Sequence, residues 1–223
     1  MSLRAVAFDM DGLMFNTEDV YTEVGSEVLR RRGREFTKEL KDAMMGLTAR
    51  RSFEVMIETH SLDDTPDELI PESEEIFIAL LGNYLAPMPG FFSLLAALEK
   101  ADVSRAIATS TGRRLTEVIL ANFELQPRFD FVLTSEDITH GKPHPEMYLL
   151  AAERFGVSPE EMLVLEDSHF GCRAAHEAGA FVVAIPNQHT ADHDFSMADL
   201  VATSLEDPRI YEALNLSPAK REE

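Results

Sequence analysis

The chain has 223 residues, 45% hydrophobic and 27% charged, a balance ordinary for a globular protein with one large domain or two modest ones. Its 40 acidic residues outnumber 20 lysines and arginines, and the formal net charge of −20 disfavours a nucleic-acid partner and obliges any phosphate-bearing ligand to find local positive charge. One cysteine excludes an internal disulfide, no apolar run reaches the roughly 20 residues of a membrane span, and no signal-peptide pattern opens the chain, so a cytoplasmic protein without a membrane partner is expected.

The first predicted element is a short buried strand, Val6-Ala7-Phe8, that runs into Asp9-Met10-Asp11-Gly12. Gly12 implies that the chain turns just past the strand, leaving two carboxylates at the sheet edge where open α/β folds bind ligands. Two acids so close repel unless a cation or a shared proton relieves them, and hard oxygen ligands favour Mg²⁺. A plain polar turn is the alternative reading of these four residues taken alone.

From Thr17 the pattern is helical, with Val20, Val24 and Val28 at spacing four and Gly33 after the last turn. Arg30-Arg31-Arg32 reads as a basic helix end complementing the dipole. No period-two strand follows up to residue 86. Residues 44–52 read as a loop opening a helix near Ser52 or just before it, with Phe53, Met56 and Ile57 at helical spacing; 61–66 is a polar turn. A helix is predicted from Pro71 to Leu85. Ala86-Pro87-Met88-Pro89-Gly90 closes this helical stretch as a stiff connector.

After Gly90 helices and strands alternate. Helices are predicted over 91–100, 113–123, 146–155 and 169–178, and strands over 103–108, 131–133, 162–165, 181–185 and 200–201. Continuous apolar strands separated by helices predict a parallel sheet covered on both faces. Residues from about 206 read as a polar tail with a short helix near 209–214. Cys172, beside Gly171 and Ala174-Ala175, reads as a packing residue.

Three further strand ends carry chemistry. Thr109-Ser110-Thr111-Gly112 offers hydroxyls and the N-terminus of a helix to an anion, although serine and threonine are also ordinary caps. Lys142, between Gly141 and Pro143, is a rigidly held point charge suited to a phosphate, with a surface lysine as the alternative. Glu166-Asp167-Ser168 would complete a metal site begun by Asp9 and Asp11, or simply cap a helix. His144 and His169 are read as loop residues near the site without a catalytic role.

These residues, in this order, resemble the haloacid dehalogenase superfamily, specifically its phosphatases and mutases. The signatures are Asp9-Met10-Asp11-Gly12, Thr109, Gly141-Lys142-Pro143 and Glu166-Asp167-Ser168 followed by Gly171, and the helical insert resembles the cap of the β-phosphoglucomutase-like subgroup. The resemblance implies an α/β fold: a Rossmann-like, doubly wound parallel core at 1–15 and 88–223 with an all-helical cap at 16–87. It implies that Asp9 attacks phosphorus, that Asp11 protonates the leaving alcohol and then activates water, and that Thr109 and Lys142 hold the phosphoryl oxygens. Mg²⁺ would be held by Asp9, the Asp11 main-chain carbonyl, Glu166 and Asp167. Substrate contacts are expected at Gly12, Ser110, Thr17, Thr48 and Arg50, and the cap would close on hinges near 14–16 and 86–89.

The expected activity is Mg²⁺-dependent hydrolysis of a small phosphate ester, a sugar phosphate or nucleoside monophosphate, through an aspartyl-phosphate, by a protein able to act as a monomer. Tyr21 and Ala49 stand where β-phosphoglucomutases carry a histidine and an arginine, with Arg50 one place later, which weighs against a phosphomutase. A non-catalytic binding protein on the same scaffold is the alternative of another class, and the filled catalytic positions argue against it.

Overall fold

The computed structural model describes residues 2–44 and 49–216. The chain forms two compact units, Met1–Asn16 with Ala86–Glu223, and Thr17–Leu85. The first is built on a six-stranded sheet: β1 (Ala5–Phe8), β2 (Ser104–Ala108), β3 (Phe131–Leu133), β4 (Met162–Glu166), β5 (Phe181–Ala184) and β6 (Leu200–Val201), in the spatial order β3-β2-β1-β4-β5-β6. Neighbouring strands are parallel throughout, with Phe8 level with Ile107 on one side and Leu165 on the other. β1 is therefore central, and the chain steps outward from it first through β2 and β3 and then through β4. Ligands of such sheets gather at this reversal, outside the carboxyl ends of the strands.

Every residue of β1 is buried, because both faces of the sheet are covered. Ala5 and Ala7 belong to a core with Tyr148 and Ala151 of α7 (Glu146–Phe155) and Cys172, Ala174 and Ala175 of α8 (His169–Ala178). On alternate positions Phe8 points the other way and meets Phe91 edge-on, at 6.2 Å between ring centroids, at the start of α5 (Phe91–Lys100). α6 (Arg113–Asn122) follows β2, and α9 (Pro208–Ala213) closes the described chain. The expected polar tail is thus partly core: Ile210, Tyr211 and Leu214 are buried.

The two segments leading out of and back into this unit pair with each other. The Asn16 N–H donates to the Ala86 carbonyl at 3.1 Å and the Met88 N–H to that of Met14 at 2.9 Å.

The second unit contains α1 (Thr17–Arg30), α2 (Lys38–Met44), α3 (Ala49–His60) and α4 (Pro66–Tyr84). α4 begins at Pro66 rather than at Pro71. Thr65 and Glu68 form a reciprocal capping box and Pro66 takes the first turn, so Pro71 lies inside the helix. Burial of Leu69, Ile76, Phe77 and Leu81, with the Phe77 ring 4.8 Å from that of Tyr21, carries the helix through that proline. α2 was not predicted, and α3 opens at Ala49, just before Ser52 as expected.

The arginine triplet also differs from its predicted role. Arg32 Nη1 does donate to the Val28 carbonyl at 2.8 Å, but its Nη2 bridges Asp64 and Glu72 at 2.7 and 2.6 Å. Arg30 and Arg31 both hold Glu27. No described helix is long and apolar enough to cross a membrane.

Asp207 caps α9: its Oδ1 accepts from the Arg209 backbone N–H at 3.0 Å, and its Oδ2 from Arg209 Nη2 at 2.6 Å. The Arg209 side chain holds this carboxyl down at about 2. Asp207→Ala should lower unfolding stability at neutral pH by about 1 kcal/mol in urea titrations. A depressed native value stabilises above the unfolded carboxyl range, so the wild-type advantage should shrink as pH falls from about 4 towards 2.

Candidate active site

The turn after β1 is not a surface turn. Met10, Leu13, Met14 and Phe15 are all buried, and Gly12, at φ +76°, donates its N–H to the Phe15 carbonyl at 2.8 Å. A Cβ at Gly12 would strike the Asp167 carboxylate and the Asn187 amide, so both the backbone conformation and the close approach require glycine. The fold therefore delivers a buried Asp9 and a half-buried Asp11 to the carboxyl edge of the central strand.

β2 ends against Asp11. The hydroxyls of Thr109 and Thr111 both donate to Asp11 Oδ2, at 2.8 and 2.7 Å, and the Thr111 N–H donates to Thr109 Oγ1 at 3.0 Å, which fixes the direction of the Thr109 proton. Asp11 Oδ1 is buried and has no hydrogen-bond partner among the described residues. A buried oxygen in that condition is costly unless a ligand or water group meets it. Ser110 is exposed. The N-terminus of α6, expected to grip an anion, already holds one: the Arg113 N–H donates to both oxygens of Glu136, at 3.1 and 3.0 Å.

Lys142 is the strongest electrostatic element. Its side chain is 7% exposed, and Nζ donates to Asp9 Oδ1 at 2.5 Å, Glu166 Oε1 at 2.6 Å and the Ala108 carbonyl at 3.0 Å. Those three contacts use all three ammonium protons. The ring of Tyr148 lies 5.2 Å from Nζ, and the Tyr148 hydroxyl donates to Glu166 Oε1 at 2.6 Å. Glu166 Oε2 accepts from Ser168 Oγ at 3.0 Å, and Ser168 Oγ in turn accepts from the Gly171 N–H at 3.1 Å. Ser168 thus caps α8, as the alternative reading of this segment had it, while Glu166 is held against Lys142. Gly171 is obligatory, because a Cβ there would fall inside the Glu166 carboxylate.

Asp167 Oδ2 accepts from Asn187 Nδ2 at 2.8 Å, and the same amide reaches the Gly12 carbonyl at 3.0 Å. Asn187 lies just beyond β5 and ties the first and fourth strand ends together. The strand-end rule applied to β5 would have singled it out. Tyr148 was also not assigned from sequence, Thr111 was read only as one of the hydroxyls at that helix start, and Gly171 only as part of a signature. Tyr148 sits at helical spacing in an apolar stretch, where it reads as core.

Burial, reinforced by the charges of Glu166 and Asp11 and only partly offset by Lys142, pushes the Asp9 carboxyl well above its usual range. For Lys142, burial works against the charge, but Asp9 and Glu166 outweigh it and hold the ammonium above its ordinary value. Burial likewise pushes up the Cys172 thiol, as suits a packing residue. Asp9, Glu166 and Asp167 each offer a buried oxygen, and these lie within 4.8 Å of one another. Crowded carboxylates countered by one ammonium favour a further cation, and an all-oxygen donor set fits a hard divalent ion.

Thr17 opens α1, buried, with a hydroxyl that has no partner among the described residues. Arg50, on α3, is ion-paired with Asp67. Thr48 lies outside the described residues. His169 Nδ1 is 2.7 Å from the Asp194 carbonyl oxygen.

An acid-rich site braced by a buried lysine stands at the reversal point of a parallel α/β sheet, and the comparisons with known proteins assign its class. The chain belongs to the haloacid dehalogenase-like hydrolase family, whose sequence pattern matches residues 6–185. It is 32% identical over 177 residues to a phosphorylated carbohydrates phosphatase of Thermotoga maritima, covering 79% of this chain and 82% of the relative. It is also 32% identical over 180 residues to the fructose-1-phosphate phosphatase YqaB of Escherichia coli, covering 80% and 94%. The crystal structure of CbbY from Rhodobacter sphaeroides in complex with phosphate superposes with a TM-score of 0.81 at 26% identity, over 91% of this chain and 95% of that one.

Gly171→Ala should displace Glu166 and with it Lys142. We expect a fall in hydrolytic kcat of about 100-fold, the scale of a misplaced catalytic group, with the circular dichroism spectrum unchanged.

Proposed function

We propose that this enzyme is a Mg²⁺-dependent phosphatase of small phosphate monoesters, with a phosphorylated carbohydrate or polyol as its substrate class. The single observation that carries the reading is the pairing of two differently prepared aspartates. Asp9 is locked to a buried ammonium, while Asp11 is held by two hydroxyls on one oxygen and has no partner on the other. Such a division of environments separates a nucleophile from an acid–base group.

Asp9 attacks phosphorus in line with the ester oxygen, forming a carboxyl O–P bond as the P–O bond to the alcohol breaks. Asp11 gives its proton to the departing alkoxide from Oδ1. It then takes a proton from water, whose oxygen attacks the same phosphorus, releasing phosphate and restoring Asp9. Phosphoryl transfer is catalysed mainly by position and charge, and Lys142 offsets the repulsion between Asp9 and the incoming dianion. Thr109 and Thr111 keep the Asp11 carboxyl turned so that Oδ1 faces the reacting groups.

Bound Mg²⁺ would supply the remaining neutralisation of phosphoryl charge. Asp9, Asp167 and the Asp11 main-chain carbonyl are the groups that would hold it. Glu166 belongs to the same acidic cluster, but its oxygens are engaged by Lys142, Tyr148 and Ser168, so its contribution is to fix Lys142. The core residues read the phosphoryl group alike for any ester, so choice of the alcohol rests on residues outside this set. The relatives named for carbohydrate phosphates support the substrate class.

The test is phosphate release from a panel of sugar phosphates, glycerol 3-phosphate and nucleoside monophosphates. Release should require Mg²⁺, stop on chelation and fall to background in Asp9→Asn. With p-nitrophenyl phosphate, whose leaving group needs no acid, Asp11→Asn should give a stoichiometric burst of nitrophenolate followed by slow turnover. No Mg²⁺-dependent release from any ester, or undiminished release by Asp9→Asn, would overturn the assignment. Interconversion of hexose phosphates faster than phosphate release would identify a mutase instead.

A further inference from the structure

The segment that delivers Lys142 also carries a second set of metal-ligating side chains, made of different donors. His140, His144 and Glu146 offer one ligand atom each, all within 4.8 Å of one another, and among the described residues this and the Asp9, Glu166 and Asp167 group are the clusters of that kind. His140 Nδ1 is 2.9 Å from Glu146 Oε2, and His144 Nδ1 is 3.9 Å from the same oxygen. The two imidazoles lie side by side, with centroids 4.7 Å apart and planes 34° from parallel.

This arrangement is braced by the backbone. The His144 N–H donates to the Gly141 carbonyl at 3.0 Å, and Pro143 and Pro145 stiffen the segment. Glu146 receives the Thr139 N–H on Oε1 at 2.7 Å and the His140 N–H on Oε2 at 2.9 Å, which holds the carboxylate in place. The Glu146 N–H donates to His144 Nδ1 at 3.3 Å, a long contact that an ion bound at that nitrogen would replace.

An ion pair with Glu146 needs only one imidazole. The second ring, stacked beside the first, is not needed for that pair. A dication uses all three groups at once. Two nitrogens and one carboxylate oxygen suit a borderline ion, whereas the all-oxygen cluster beside Lys142 suits a hard one. Tetrahedral zinc ligands stand about 3.4 Å apart, a spacing these partly exposed side chains reach by small rotations. We propose that His140, His144 and Glu146 form a site for a borderline divalent transition-metal ion of the Zn²⁺ type, separate from the acidic cluster. Because Lys142 lies between the two histidines, occupancy also restrains the segment that brings its ammonium to Asp9.

The test is equilibrium dialysis of untagged full-length protein against Zn²⁺ in a large excess of Mg²⁺, which keeps the acidic cluster supplied with its harder ion. Wild type should retain one equivalent of zinc that the His140→Ala, His144→Ala double variant lacks, and either single variant should bind it on the order of tenfold or more weakly. Zinc should shift the imidazole NMR signals of His140 and His144 in wild type, and Asp167→Asn should keep the equivalent. Equal zinc uptake by wild type and the double variant would overturn the proposal, as would loss of the equivalent in Asp167→Asn with both histidines intact. The histidine side chains are 64% and 52% exposed, so their removal leaves the core packing untouched.

Discussion

The site depends on one buried ammonium. Lys142 meets Asp9 from β1, Glu166 from β4 and the last carbonyl of β2, so a single cation draws together the ends of three adjacent strands. Removing one partner of such an arrangement leaves an uncompensated charge out of water, a cost of several kcal/mol. The surrounding chemistry follows from satisfying it. Tyr148 and Ser168 complete the hydrogen bonding of Glu166, and Gly171 gives that carboxylate the space to lie flat over the start of α8.

The same constraint explains why Asp9 and Asp11 differ although one residue separates them. Asp9 sits at the end of the buried central strand and faces Lys142. Asp11 sits past the turn and faces the hydroxyls of Thr109 and Thr111. The turn succeeds because its side chains between and after the acids are apolar and buried, which anchors it as firmly as the strand. Asn187 then joins the Gly12 carbonyl to Asp167, so the fifth strand end also holds the loop of the first.

Asp9, Asp11, Glu166 and Asp167 were legible as candidates because acids stand abruptly after apolar strands, and Lys142 because it lies on a proline-bearing loop. That contrast is local, and it survives in the sequence. Tyr148 was hidden by the opposite circumstance: it lies among Met147, Leu149 and Leu150, and only its hydroxyl, aimed at Glu166, distinguishes it from core. Thr111 was legible as a cap but not as a partner of Asp11, and the anion at the start of α6 proved to be Glu136 from a distant turn. In the helical unit, two prolines competed for one helix start. The capping box at Thr65 and Glu68 decided for Pro66, and burial of residues on both sides of Pro71 allowed the helix to continue.

By itself the sequence determined the order of strands and helices after Gly90, the parallel sheet and the strand ends that carry charge, since apolar runs and their interruption by acids are properties of neighbouring residues. It also determined the family, through four short motifs in fixed order. The tertiary structure decided which charges meet: that Glu166 acts on Lys142, that both threonines take one oxygen of Asp11, and that two histidines share one glutamate. Those outcomes depend on directions of side chains brought together across gaps of up to 175 residues, as from Gly12 to Asn187, and directions at that range exist only once the sheet has formed.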